Sequence, residues 1–176
     1  MSVGTAFALV LSNVPLILLA LALLIAALGR GRDGPVRRFL AWVLLLPLGV
    51  TFLWAALYHL AFPAQAAAFI GWQPSPFQFE VGIADLALGV TSCIAFRASL
   101  PFQAAAVIAA SVALLGDAAG HVLQMLAAGN FAPGNAGAIF WLDIIVPVLA
   151  LALLATAWRG RAESVIGRPA AARAMR

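Results

Sequence analysis

The chain has 176 residues, of which 65% are apolar and 9% charged, whereas soluble domains carry about 45–50% apolar and about 25% charged residues. This excludes a water-soluble globule and a disordered chain, and a single cysteine excludes a disulfide scaffold. The net charge of +4 comes from ten arginines and no lysine, and their placement points to membrane topology rather than nucleic acid.

A helix needs about 20 apolar residues to cross a hydrocarbon core about 30 Å thick. Five stretches qualify, at 5–28, 38–60, 77–96, 102–128 and 139–158. The expected fold is all-α: a single five-helix transmembrane domain over 1–158, followed by a basic tail over 159–176. The first stretch has no basic residue before it and no clean cleavage site after it, so it reads as a retained span rather than a signal peptide.

Arg30, Arg32, Arg37 and Arg38 lie between spans one and two, Arg97 between three and four, and the remaining five after span five. All ten therefore fall on one side, and the opposite segments 1–4, 61–76 and 129–138 carry none. The positive-inside rule then predicts an N-terminus outside and a C-terminus in the cytoplasm. Trp42 and Trp158 suit the inner interfacial belt, Trp72 and Trp141 the outer one. The tail, RGRAESVIGRPAAARAMR, is expected in the cytoplasm near anionic headgroups, where each Arg contributes about 1 kcal/mol.

Between spans two and three, Pro63 is placed to open a short helix and Gly71 to end it. Phe69, Ile70 and Trp72 would let that helix lie in the interface as a roof. Ser75 then reads as an N-cap, Pro76 as the first helical residue and Gln78 as its capping-box partner.

Ionisable groups inside spans are costly and mark functional sites by default. Asp33 and Glu163 lie outside the predicted spans. Glu80, Asp85, Asp117, Asp143 and His121 lie inside them, and His59 ends one. At a rise of 1.5 Å per residue, the depths from the outer ends are about 2 Å for His59, 5 Å for Glu80 and 6 Å for Asp143. His121 is at about 10 Å, Asp85 and Asn13 at about 12 Å, and Asp117 at about 16 Å. The inner halves hold none of these groups, so the simplest packing gathers them into one outward-facing pocket. Asp117, His121 and Gln124 share a helical stripe in which Asp117 is placed to orient the imidazole. Gly116 and Gly120 form a G-x-x-x-G that admits a close neighbouring helix. Glu80 and Asp85 are separated by about 140° around their helix, so Glu80 is expected in the pocket and Asp85 against another neighbour. Pro147 cannot donate to the carbonyl of Asp143.

His59, Glu80, His121 and Asp143 make up a candidate ligand set for a divalent metal, Zn, Fe or Mn. Asp117, Gln124 and Asn13 would support it, and Glu80, Asp117 and His121 are the candidate catalytic groups. The Glu-x-x-His spacing of di-iron bundles is absent. Each group also has a plain structural reading: His59 capping helix carbonyls, Glu80 answering the macrodipole, Asp117 and His121 as a packing pair, Asp143 capping its own helix.

Several stretches resemble a family of small bacterial integral membrane proteins that carries a domain-of-unknown-function label. They are Tyr58-His59, Ile70-Gly71-Trp72, SPFQFEVG over 75–82, Gly120-His121, APGNAG over 132–137, and Asp143 with Pro147. The similarity covers about residues 54–150 and implies a multi-span fold in a bacterial plasma membrane, with no activity attached. His59, Glu80, His121 and Asp143 match the family pattern, whereas Asp85 stands where the pattern has Asn.

Four functions compete. One is an outward-facing metal site acting on a lipid-like or other apolar molecule. A second is metal-free acid/base chemistry on such a molecule. A third is an ion or proton carrier, disfavoured by inner halves without acidic or imidazole groups. A fourth is an accessory subunit, a homo-oligomer or the companion of another membrane protein, whose polar layer only locks the bundle. Haem is disfavoured because no outer Arg is available for its propionates. No phosphate loop, nucleophile elbow, CxxC or HExxH pattern occurs.

Overall fold

The computed structural model describes residues 12–30 and 34–174, with side chains to 162. It is all-α, 87% helical, with no strand among the described residues. Helix α1 is Val14–Leu28, α2 Gly34–Ala61, α3 Pro63–Ile70, α4 Phe77–Ala95, α5 Leu100–Ala128, α6 Pro133–Ala136 and α7 Ala138–Ala174.

Four helical stretches are long and apolar enough to cross a membrane: Gly34–Ala61, Phe77–Ala95, Leu100–Ala128 and Pro133–Ala162. These take in four of the five expected spans. Of the expected span 5–28, residues 5–11 lie outside the described part, and α1 has 15 residues, fewer than the roughly 20 a crossing needs. Arg32 and Asp33 also lie outside the described residues. The expected boundary at 158 marks no break, because the backbone of α7 continues as one helix to Ala174.

Helix α2 is not regular. Leu44–Val50 is a π-helical stretch around buried Pro47. Proline has no N–H for the carbonyl four residues earlier, and the ladder resets one residue wider. The Thr51 N–H reaches the Leu46 carbonyl, and Thr51 Oγ1 lies 3.3 Å from the same oxygen. Such π-bulges collect at functional sites.

The bundle has two unlike ends. Leu40, Leu44 and Leu48 of α2, Val107 and Ala110 of α5, and Val146, Ala150 and Leu154 of α7 pack a dry core towards the end flanked by Arg37, Arg38, Arg97 and Arg159. At that end Arg38 Nε donates to the Ala26 carbonyl at 2.5 Å, tying α2 to α1. The opposite end is roofed by α3 and α6. Pro63 opens α3 and Gly71, at φ 79°, closes it, as expected. The Trp72 N–H returns to the Ala67 carbonyl at 2.8 Å and the Gly71 N–H to that of Ala68 at 3.3 Å, the Schellman pairing.

Helices α2 and α4 approach closely through glycine. A Cβ at Gly89 would sit 2.9 Å from the Leu53 backbone nitrogen, and one at Gly49 would sit 3.1 Å from that of Cys93. The expected G-x-x-x-G contact on α5 is not made. A Cβ at Gly116 or at Gly120 would meet nothing within 4 Å, because both residues border a cavity instead of a helix.

The two kinds of glycine predict opposite mutational signs. Gly89→Ala overpacks the α2–α4 contact and should cost about 1–3 kcal/mol. Gly120→Ala has room and removes a helix-interior glycine, so it should stabilise by up to about 1 kcal/mol. Thermal unfolding in detergent checks both; a destabilised Gly120→Ala would mean that a helix does pack there.

Candidate functional site

The cavity at the roofed end holds about 520 Å³. Its walls come from α2 (Pro47, Thr51, Trp54, Tyr58, His59), α4 (Val81, Asp85), α5 (Gly116, Asp117, Gly120, His121) and α7 (Leu142, Asp143, Val146). Phe69 and Trp72 from α3 and its exit close it above, and Ser12 and Pro15 join from the start of α1. The lining is mostly aromatic and aliphatic; its ionisable groups are three carboxylates and two imidazoles beside the Tyr58 phenol, and Ser12, Thr51 and Gln65 add neutral polar groups.

His121 is the best-held group. Asn135, fully buried in the α6 turn, presents Oδ1 at 2.7 Å from His121 Nδ1. Its Nδ2 donates to the His121 carbonyl at 3.2 Å and to the Asn130 carbonyl at 2.9 Å. Those two acceptors fix the amide orientation, so Oδ1 must accept and Nδ1 must carry the proton. His121 Nε2 is left facing Asp143 Oδ2 at 3.4 Å. This is an ion-pair separation, and Oδ2 accepts no hydrogen bond though it is buried. One proton between Nε2 and Oδ2 serves both groups, whichever holds it. Trp72 covers the imidazole, with ring centroids 6.4 Å apart.

The roof is tied to this pair. Asn130 Nδ2 donates to the Ile70 carbonyl at 2.9 Å, and its Oδ1 accepts from the Ala132 N–H at 3.1 Å. A Cβ at Gly134 would lie 2.8 Å from the Phe69 carbonyl oxygen, so α6 lies directly on the end of α3. Two asparagines thus join the two loops at the roofed end to each other and to the imidazole.

The expected metal set is not assembled. Of its four members only His121 and Asp143 touch. His59 lines the cavity, but its Nδ1 is engaged by Gln78 Oε1. Glu80 is exposed, on the first turn of α4, outside the cavity wall. Among the described residues no three His, Cys, Asp or Glu side chains are grouped to hold a metal. The places expected for Glu80 and Asp85 are reversed: Asp85 is buried in the wall and Glu80 faces out. The large angle between them does separate them, but α4 turns its glycine edge, Gly82 and Gly89, towards α2, and Asp85 falls on the inward side.

Two further expectations change. Asp117 does not orient His121, whose ring nitrogens go to Asn135 and Asp143; it is an exposed member of the wall. The Ser75–Gln78 capping box does not form, because Pro76 occupies the cap without a side-chain bond and the Gln78 side chain goes to His59. Gln124 is half-buried outside the cavity wall, and its carbonyl accepts the Asn130 N–H at 3.2 Å. Asn13 is half-buried at the start of α1, between the cavity-lining Ser12 and Pro15, and its carbonyl accepts the Ile17 N–H at 3.0 Å.

The polar layer, its roof and the surrounding helices all fall within one family match. This chain belongs to DUF6790, a family of unknown function, whose model matches residues 12–163. Searches of curated proteins and of solved structures find no match. Every residue of the cavity wall lies inside the matched segment.

Asn135→Ala would strand the buried imidazole N–H and take the donor from the Asn130 carbonyl. We expect a loss of roughly 2 kcal/mol or more, read as a lower midpoint in thermal unfolding. Gln124→Ala, outside the wall, should change it by less than about 0.5 kcal/mol. Zinc, iron and manganese contents of the purified protein should be the same in wild type and in a His59→Ala/His121→Ala double variant. A metal lost only from the double variant would show that the donors converge after all.

Proposed function

We propose that this is a multi-pass protein of the bacterial plasma membrane that takes a small, largely apolar molecule into the roofed cavity, where His121 and Asp143 exchange a proton with it. One observation carries the reading. The imidazole is clamped at Nδ1 by Asn135 and presents Nε2, with Asp143, to a cavity of about 520 Å³. Small-molecule sites span about 300–1,000 Å³ and combine apolar walls with a few placed polar groups. A His oriented at one nitrogen and left with the other for chemistry is the usual arrangement of a general acid or base.

The arginines support the orientation. Arg37, Arg38, Arg97 and Arg159 flank the end with the dry core, and the positive-inside rule favours the cytoplasmic side for that end and the outer side for the cavity. A metal is no part of the reading, since two donors make contact rather than four. A purely structural role fits Asn130 and Asn135, which stitch the roof. It leaves Asp85 and Asp117 on the cavity wall without a purpose, at a cost that membrane spans normally avoid.

Trp54 and Trp72 border the cavity, and their fluorescence reports its contents. With the protein in zwitterionic lipid nanodiscs, 12-bromododecanol should quench them in two parts: a linear part from probe dissolved in lipid and a saturable part from the cavity. In Gly116→Leu/Gly120→Leu the new side chains fill open space and the saturable part should vanish. Equal saturable quenching in wild type and variant would overturn the reading.

A further inference from the structure

The wall carries Asp85 from α4, Asp117 from α5 and Asp143 from α7, and among the described lining residues there is no arginine. The imidazole of His121 answers one carboxylate, and His59 is turned to Gln78. Asp85 is 9% exposed and Asp143 6%, so neither is served by bulk water. Asp143 Oδ2 has His121 Nε2 beside it at 3.4 Å, whereas the buried Asp85 carboxylate on the cavity wall has no hydrogen bond or ion pair among the described residues. Aromatic rings stand around the same space, with Trp54 and Tyr58 tilted against each other at 4.9 Å between centroids and Trp72 beside His121 at 6.4 Å.

An anionic head group, a carboxylate or a phosphate, would meet Asp85 and Asp117 with no arginine among the described lining residues and with the imidazole of His121 already turned to Asp143. A neutral alcohol offers one donor. A protonated amine offers a positive charge and up to three N–H donors, and aromatic rings attract it as well. We infer that the ligand is a cationic amphiphile, a primary or secondary ammonium on an apolar body. Its head lies between Asp85 and Asp117, next to the His121–Asp143 pair, and its body lies along the aromatic wall. This rests on the proposed use of the cavity as a binding site. Asp117, the exposed carboxylate of the three, meets the head first and the buried Asp85 receives it inside.

The test uses the full chain in zwitterionic nanodiscs and three probes of equal chain length: dodecylammonium, dodecanol and dodecanoate. Calorimetric titration should show dodecylammonium binding at least about tenfold tighter than dodecanol, with dodecanoate weakest. Asp85→Asn/Asp117→Asn should remove that preference, bringing dodecylammonium to the affinity of dodecanol measured on the same variant. The single variant Asp117→Asn, at an exposed position, should reduce it in the same direction if the double variant does not fold. Gly120→Leu should abolish binding of both probes. Dodecanol binding as tightly as dodecylammonium, with both lost in Gly120→Leu, would overturn the charge inference and leave the cavity as a binding site. Binding of both probes unchanged in Gly120→Leu would overturn the inference together with the site it rests on.

Discussion

An imidazole and a carboxylate buried in an apolar bundle must find partners within the protein, and the architecture at the roofed end follows from how His121 and Asp143 do so. His121 has three polar demands: two ring nitrogens and its own carbonyl. Asn135 meets two of them, and Asp143 faces the third. Because Asn135 sits in the short α6 turn, the loop after α5 must fold back over the imidazole. Because Asn130 then reaches the carbonyl of Ile70, the loop after α2 is held down as well. Leaving any of these groups unpaired in a buried place would cost a free energy comparable to that of several ordinary hydrogen bonds.

The empty space beneath that roof has a separate cause. Helices α2 and α4 close on each other through Gly49, Gly82 and Gly89, whereas Gly116 and Gly120 of α5 face nothing. The π-helical turn at Pro47 sets the lower boundary: below it Leu40, Val43 and Leu44 pack solidly, and from it Pro47 and Thr51 turn to the cavity. Packed core and open chamber thus occupy opposite ends of the same four long helices. A cavity in hydrocarbon with carboxylates on its wall is unfavourable for stability alone, which is why a bound occupant is the economical explanation of it.

Much of this was legible in the residues. Long apolar stretches specify spans by length alone, so α2, α4 and α5 fall near their expected bounds and α7 begins at its own, though it runs on past 158. Pro63 and Gly71 bracket α3 because both act through their own backbone geometry. Depth counting put His121 and Asp143 in the pocket, and both are buried. The same count gave no sign that Glu80 and Asp117 would be exposed, because the helical rise says nothing of a helix's rotation. What could not be read was which neighbour each face meets. A G-x-x-x-G licenses a close contact without supplying one, and the glycines that do pack, Gly82 and Gly89, carry a longer spacing. The same gap reversed Glu80 and Asp85, since a helix's rotation depends on its packing partner. Asn135 was visible only as part of the APGNAG stretch; an asparagine in a Pro/Gly-rich turn beside an intramembrane histidine is the signal that would have singled it out.

The central claim is that His121 Nε2 and the Asp143 carboxylate share the cavity wall, and solid-state nuclear magnetic resonance can measure that separation. The chain has two histidines, so ¹⁵N-histidine and carboxyl-¹³C-aspartate labelling gives a readable spectrum in lipid. The account predicts a dipolar coupling between one imidazole nitrogen and an aspartate carboxyl carbon. That coupling should be lost in Asp143→Asn and retained in Asp117→Asn. No coupling from any histidine nitrogen to an aspartate carboxyl, or one that survives Asp143→Asn, would contradict it.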